Sequence, residues 1–245
     1  MNTYRKTAVL VGVLYIIGTV AGVLSVVVTG PILGGFSEPG ADYLARVPAG
    51  ANQIILGALL VLIMGLALAM VPVVLYPLAR KYNETLAVGY VVFRGALETV
   101  LYMGLVVNWL TLIALGGELA KASVVDASYV VTLGALSLQC QAAIRVMTGI
   151  VFPLGALMLY SLLYQSRLVP RWLSGWGLLG AVLSLSAAML LLFGQMTGAS
   201  TTYTYLVLPL AVQEMVMAVW LIAKGFNLSA TASARPSLSS LPGPV

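Results

Sequence analysis

Four charged side chains interrupt long apolar stretches of this 245-residue chain: Arg94, Glu98, Arg145 and Glu214. A charge at the centre of a bilayer costs about 3 kcal/mol even on the most lenient insertion scale, so such residues face the interior of a helical bundle and find partners there. Buried charges of this kind hold helices together, line a path for an ion or ligand, or act as acids and bases. The sequence leaves these three chemistries open.

Other polar side chains follow the charges at helical spacing in three of the apolar stretches. The third stretch carries Tyr90, Arg94, Glu98, Tyr102, Asn108 and Trp109. The fourth carries Ser137, Gln141, Arg145 and Thr148, and the sixth carries Gln213 and Glu214. Because intramembrane polar groups turn inwards, one shared site is expected. Its candidate ligand or ion-pathway residues are Arg94, Glu98, Gln141, Arg145, Gln213 and Glu214, and its secondary lining is Tyr90, Tyr102, Asn108 and Thr148.

Depth along the helices predicts which charges pair. At 1.5 Å per residue, Arg94 lies about 12 Å, Glu214 about 14 Å and Glu98 about 18 Å from the inner end of their helices. Arg145 lies further out. We therefore expect Arg94 to pair with Glu214, and Glu98 with Arg145, which would keep both carboxylates ionised.

Composition identifies the elements that must position these residues. Hydrophobic residues make up 61% of the chain and charged residues only 8%, against about 25% charged in a soluble domain. This excludes a soluble globule and a disordered chain, and the single cysteine, Cys140, excludes a disulfide scaffold. We predict an all-α polytopic membrane protein, a single domain over residues 1–226 with a disordered cytoplasmic tail over 227–245.

Six apolar segments are long enough to cross a bilayer. They are Ala8–Val28, Ile54–Leu78, Leu86–Leu115, Leu133–Leu163, Leu173–Phe193 and Tyr203–Ala223. The first connection is rich in glycine and proline, and a short helix is expected in it near Asp42–Val47.

Several function classes lack their required residues. The chain has no histidine, and it has no P-loop, dinucleotide-binding, zinc-protease or CxxC motif, so we expect no metal site and no cofactor. Its basic residues stand at the ends of apolar runs, which favours membrane lipids over nucleic acid as partners. Four of them are candidates for lipid-headgroup contacts, unless they only set the topology: Arg80, Lys81, Arg167 and Arg171.

The chain also resembles an uncharacterised prokaryotic membrane family, the domain-of-unknown-function 4386 family. The similar stretches are 4–8, 41–44, 89–98 (GYVVFRGALE), 162–177 (LLYQSRLVPRWLSGWG) and 213–226 (QEMVMAVWLIAKGF). They extend over nearly the whole chain up to the tail, and 166–177 is the most specific. The resemblance implies a six-helix membrane fold and no activity, and it includes Arg94, Glu98, Gln213 and Glu214.

Three functions are compatible with this sequence. The first is a small-solute or ion carrier, or a ligand-binding membrane protein, that uses the charged cluster. The second is a structural or regulatory membrane partner in which the cluster only holds the fold together. The third is a membrane-embedded enzyme that acts on lipid. A water-reachable cavity at the cluster would favour the first function. A dry and fully paired cluster would favour the second, and a lateral opening to lipid beside an unpaired carboxylate would favour the third.

The distribution of basic residues predicts that both termini lie in the cytoplasm, with the protein in the cytoplasmic membrane. One set of connections carries Arg5, Lys6, Arg80, Lys81, Arg167, Arg171, Lys224 and Arg235, and the other only Arg46 and Lys121. Lysine and arginine accumulate on the cytoplasmic side. In a background without Cys140, we expect Ser239→Cys to resist membrane-impermeant thiol reagents in intact cells. Its labelling from outside would contradict this topology.

Overall fold

The computed structural model describes residues 3–34, 43–122 and 124–227, and in these ranges it contains helices and no strands. The elements are α1 (Thr3–Leu33), α2 (Tyr43–Arg46), α3 (Ala51–Ala79), α4 (Glu84–Tyr90), a π-helical segment (Val91–Leu97), α5 (Glu98–Leu119), α6 (Val124–Ser166), α7 (Arg171–Leu192) and α8 (Thr201–Ala223). Six uninterrupted helical stretches, with α4, the π-helical segment and α5 forming one of them, are long and apolar enough to cross a membrane. The predicted all-α, six-span fold is confirmed.

The short helix expected near Asp42–Val47 is present as α2, although Asp42 itself lies outside the described residues. The predicted disordered tail also falls outside them, apart from Asn227. The orientation of the termini stays a prediction. Both described ends of the chain lie at one end of the bundle, because Arg5 donates hydrogen bonds to the last carbonyls of α8, 2.7 Å from Ile222 O and 3.2 Å from Ala223 O. We call this the basic end.

The six spans pack as a closed ring. Each contacts the next in the order α1, α3, α5, α6, α7, α8, and α8 returns to α1. The helices α5 and α8 are therefore three places apart in either direction, on opposite sides of the ring. Any side-chain contact between them has to cross its centre.

The third span changes its winding where it carries its charges. In the segment Val91–Leu97 the backbone bonds to the fifth residue back, as Glu98 N–H does to Phe93 O, instead of the fourth. Two glycines let neighbouring helices approach this segment closely. A Cβ on Gly95 would lie 3.3 Å from Pro72 of α3, and one on Gly155 of α6 would lie 3.3 Å from Arg94 N.

The π-helical segment brings side chains of the third span onto one face. In a regular α-helix, residues four apart diverge by about 40° at every step, because each residue turns by about 100°. Four-residue spacing from Tyr90 to Tyr102 would then spread its side chains over about 120°. One π-helical turn holds an extra residue, which removes about 100° of that rotation. Tyr90, Arg94 and Glu98 are accordingly all buried.

Gly177 of α7 is required by the packing of Tyr160. A Cβ on Gly177 would lie 2.5 Å from the Tyr160 ring, which is fully buried, whereas Gly175 has no heavy atom within 4 Å of its Cβ position. Overpacking of this kind typically costs about 1–3 kcal/mol. We expect Gly177→Ala to lower the unfolding midpoint in detergent, with Gly175→Ala, which makes the same change two residues away, as the matched control. Equal midpoints for the two variants would show that α7 does not pack on Tyr160 as described.

Candidate functional site

One arginine at the centre of the ring holds two carboxylates. Arg94 Nη1 lies 3.0 Å from both carboxylate oxygens of Glu98. Its Nη2 lies 3.3 Å from Oε1 of Glu214, on the opposite helix α8. The Arg94 and Glu98 side chains are 3% and 1% exposed, and that of Glu214 is 11% exposed. We call these three residues the ion cluster.

Aromatic side chains enclose the ion cluster. The Arg94 guanidinium carbon lies 4.6 Å from the ring centre of Phe152 and 5.8 Å from that of Tyr15. Cations over ring faces are stabilised by the electrons of the ring. The Tyr102 hydroxyl donates a hydrogen bond to Glu98 Oε1, and the hydroxyls of Tyr15 and Tyr90 share a hydrogen bond of 2.7 Å. The surroundings are therefore apolar in bulk but contain hydroxyl groups.

Three buried polar atoms lie close to the ion cluster: Arg94 Nε, which has no hydrogen-bond partner among the described residues, and Tyr160 Oη and Gln213 Oε1, which interact with each other. Gln213 is anchored at its other end, where Nε2 donates to the carbonyl of Leu173 at 3.0 Å. Because that carbonyl can only accept, the amide oxygen has to point away from it. Within the part of the chain described, the site thus retains one unpaired donor, Arg94 Nε.

Two pairs of the predicted site residues lie in a separate layer. Ser137 donates to Asn108 at 2.7 Å, and Trp109 donates to Gln141 at 2.9 Å. Both pairs join α5 to α6. Trp109 lies seven residues beyond Tyr102, which is roughly 10 Å along the helix, and it packs in an apolar cluster with Val106. The shared site expected from the sequence is therefore divided into an ion cluster and a neutral layer nearer the other end.

The predicted pairing of Glu98 with Arg145 is wrong, whereas the pairing of Arg94 with Glu214 is confirmed. Glu98 takes Arg94 as its partner because the two lie one turn apart on the same span. Arg145 is exposed and forms no salt bridge within the described ranges. It lies 21 residues before the end of α6, about 31 Å from the basic end. There a guanidinium retains its hydration without a carboxylate.

The other sequence candidates lie outside the ion cluster. Thr148 donates to the Ile144 carbonyl of its own helix at 2.8 Å. Arg80 and Lys81 lie at the basic end, over the rings of Tyr76 and Tyr4 at 5.8 and 5.5 Å. The remaining two basic candidates, Arg167 and Arg171, flank the turn between α6 and α7.

Three residues around the site were not predicted: Tyr15, Phe152 and Tyr160. Each of the two tyrosines places a hydroxyl in a mostly apolar stretch of its helix, which is a usable signal because a buried hydroxyl needs a partner. Phe152 carries no such signal, since its ring differs in nothing from other apolar residues until its contact with Arg94 is known.

The comparisons with known proteins identify a family and no activity. A family model described as a domain of unknown function (DUF4386) matches residues 10–225, which confirms the resemblance noted above. Searches of curated proteins and of solved structures give no match.

The shared position of Arg94 predicts that its loss is severe. We expect Arg94→Ala to destabilise the protein by about 3–5 kcal/mol, because two buried carboxylates lose the arginine that pairs with both of them. Arg145→Ala, which removes an exposed arginine from a neighbouring helix, is the matched control and should leave the unfolding midpoint in detergent unchanged. Equal midpoints for Arg94→Ala and wild type would contradict the ion cluster.

Proposed function

The chain belongs to the DUF4386 family, and we propose that it is an integral membrane protein that binds a small cation, a proton or a monovalent metal ion, at Glu214. The observation that carries this proposal is the sharing of Arg94 by two carboxylates.

The charges of the ion cluster do not balance. One guanidinium against two ionised carboxylates leaves a net charge of −1, close to the centre of the ring. A net charge in the low-dielectric interior of a membrane protein is strongly unfavourable, and such groups bind protons or ions in many pumps and transporters. One bound monovalent cation would bring the cluster to neutrality.

The two carboxylates are not equivalent, and Glu214 is the better exchange site. Glu98 accepts two contacts from Arg94 and one from Tyr102, and its side chain is 1% exposed. Glu214 has one longer contact with Arg94, at 3.3 Å, and its side chain is 11% exposed. Fewer and longer contacts are broken more easily. We therefore assign Glu98 as the permanent counter-ion of Arg94 and Glu214 as the cation-binding carboxylate.

The π-helical segment that carries Arg94 adds support, because such irregular turns occur frequently at functional sites.

A structural role is the second candidate, and the burial of Arg94 and Glu98 favours it. Buried ion pairs often hold helices in register without further activity. The two candidates differ in what Glu214 does. In a structural cluster its charge is a favourable counter-charge, and in a cation site it is the charge that needs neutralising.

Glu214→Gln separates the two candidates by its effect on how strongly the stability of the protein depends on cation concentration. The change leaves Arg94 and Glu98 as a neutral pair, and the amide is nearly isosteric with the carboxyl group. We expect the unfolding midpoint of the wild type in detergent to depend on proton or monovalent metal concentration, and that of the variant not to. If a proton is the cation, wild-type stability falls as pH rises, because deprotonation leaves the net charge uncompensated.

The control for this assay has to remove a carboxylate that lies away from Glu214 and its neighbours. The other charged or titratable groups in electrostatic contact with Glu214 are Arg94, Glu98, Tyr15, Tyr90, Tyr102 and Tyr160. Glu118→Gln removes an exposed carboxylate from the end of α5 and should keep the wild-type dependence. A Glu214→Gln midpoint lowered equally under all ionic conditions, with an unchanged dependence on protons and metal ions, would favour the structural role.

A further inference from the structure

The turn between α6 and α7 holds an arginine in an unfavourable backbone conformation. Arg167 has φ = 54°, in the left-handed region that glycine and asparagine tolerate best. Its two successors, Leu168 and Val169, are 0% and 1% exposed. Asn227 N–H bonds to Leu168 O at 2.8 Å and fixes the turn from the far side. The turn therefore buries its apolar residues and leaves the Arg167 side chain outside.

A second arginine and an aromatic surface lie beside this turn. Arg171 begins α7, and its guanidinium carbon lies 5.2 Å from the ring centre of Tyr164. The next residue, Trp172, is 55% exposed and meets Trp220 edge-on at 6.1 Å between ring centres. Exposed tyrosine and tryptophan rings concentrate at the level of lipid headgroups.

The two arginines have no acidic partner among the described residues. Neither Arg167 nor Arg171 forms a salt bridge within the described ranges. Among the described residues, basic side chains outnumber acidic ones at the basic end. The acidic residue there is Glu84, and the basic ones are Arg5, Lys6, Arg80, Lys81, Arg167, Arg171 and Lys224. A local excess of positive charge at a membrane boundary attracts anionic lipids.

We propose that Arg167 and Arg171 bind the phosphate of an anionic phospholipid, whose glycerol and upper acyl chain lie against Tyr164 and Trp172. Arginine suits this ligand because its planar donors match phosphate oxygens in pairs. A free phosphate would have only the two exposed cations, whereas a lipid also covers the exposed rings. A role in topology alone would not require an arginine at the strained position, since a basic residue anywhere in the connection would serve.

The test compares thermal stability in lipid environments of defined composition. Purified protein is placed in nanodiscs of phosphatidylcholine with increasing phosphatidylglycerol, and the unfolding midpoint is measured. We expect phosphatidylglycerol to raise the wild-type midpoint, and the double variant Arg167→Gln/Arg171→Gln to lose at least half of that rise. The matched control is Lys6→Gln/Lys224→Gln, which removes the same charge from two exposed positions at the same end and should keep the rise.

A single variant distinguishes loss of lipid binding from loss of folding. Arg167→Gly suits the left-handed backbone, so we expect a midpoint in pure phosphatidylcholine at or above that of the wild type, together with a reduced response to phosphatidylglycerol. Two results would overturn the proposal: an undiminished response in the double variant, or equal losses in the double variant and its control, which would indicate diffuse charge attraction. An equal rise on adding inorganic phosphate to phosphatidylcholine nanodiscs would assign the site to a free anion instead.

Discussion

Arg94 is the interaction on which the arrangement of this bundle depends. Its guanidinium extends from the third span to the opposite side of the ring and holds carboxylates of α5 and α8 at once. A closed ring of helices with only small side chains inside would leave polar groups unmatched or a central void. Here the central space is occupied by an arginine, two carboxylates and the aromatic rings that contact the guanidinium. Removing the arginine would therefore affect helices on opposite sides of the ring.

The contact of Arg94 with two carboxylates also leaves one negative charge without a counter-charge. Helix packing could be secured by one arginine and one carboxylate, and Glu98 alone supplies the carboxylate with full burial and three hydrogen-bond contacts. The second carboxylate, Glu214, adds a contact across the ring but also adds an uncompensated charge. The ionised form of Glu214 thus strengthens the contact across the ring but leaves the cluster with a net negative charge.

The sequence predicted the six spans and the pairing of Arg94 with Glu214, and its failures have physical causes. Apolar runs set the six helices, and depth along them placed Arg94 level with Glu214. The choice of Arg145 for Glu98 failed because depth does not tell which way a side chain points, and Arg145 is exposed. The π-helical turn has no counterpart in apolar periodicity, yet it keeps Tyr90 and Glu98 on one face. Asn108 and Gln141 follow the correct helical stripe but lie in another layer, since a stripe specifies direction around a helix and not proximity along it.

The charge state of the two carboxylates in the folded protein within a bilayer shows whether Glu214 holds a neutralising proton. Infrared spectra of wild type and Glu214→Gln, recorded near neutral pH with choline as the only other cation, distinguish a protonated carboxyl group from an ionised carboxylate. In this medium only a proton is small enough to neutralise the cluster. We expect one protonated carboxyl signal in the wild type that is missing from the variant. Two ionised carboxylates beside a single arginine, with no protonated signal in the wild type, would contradict the assignment of Glu214 as the cation-binding carboxylate.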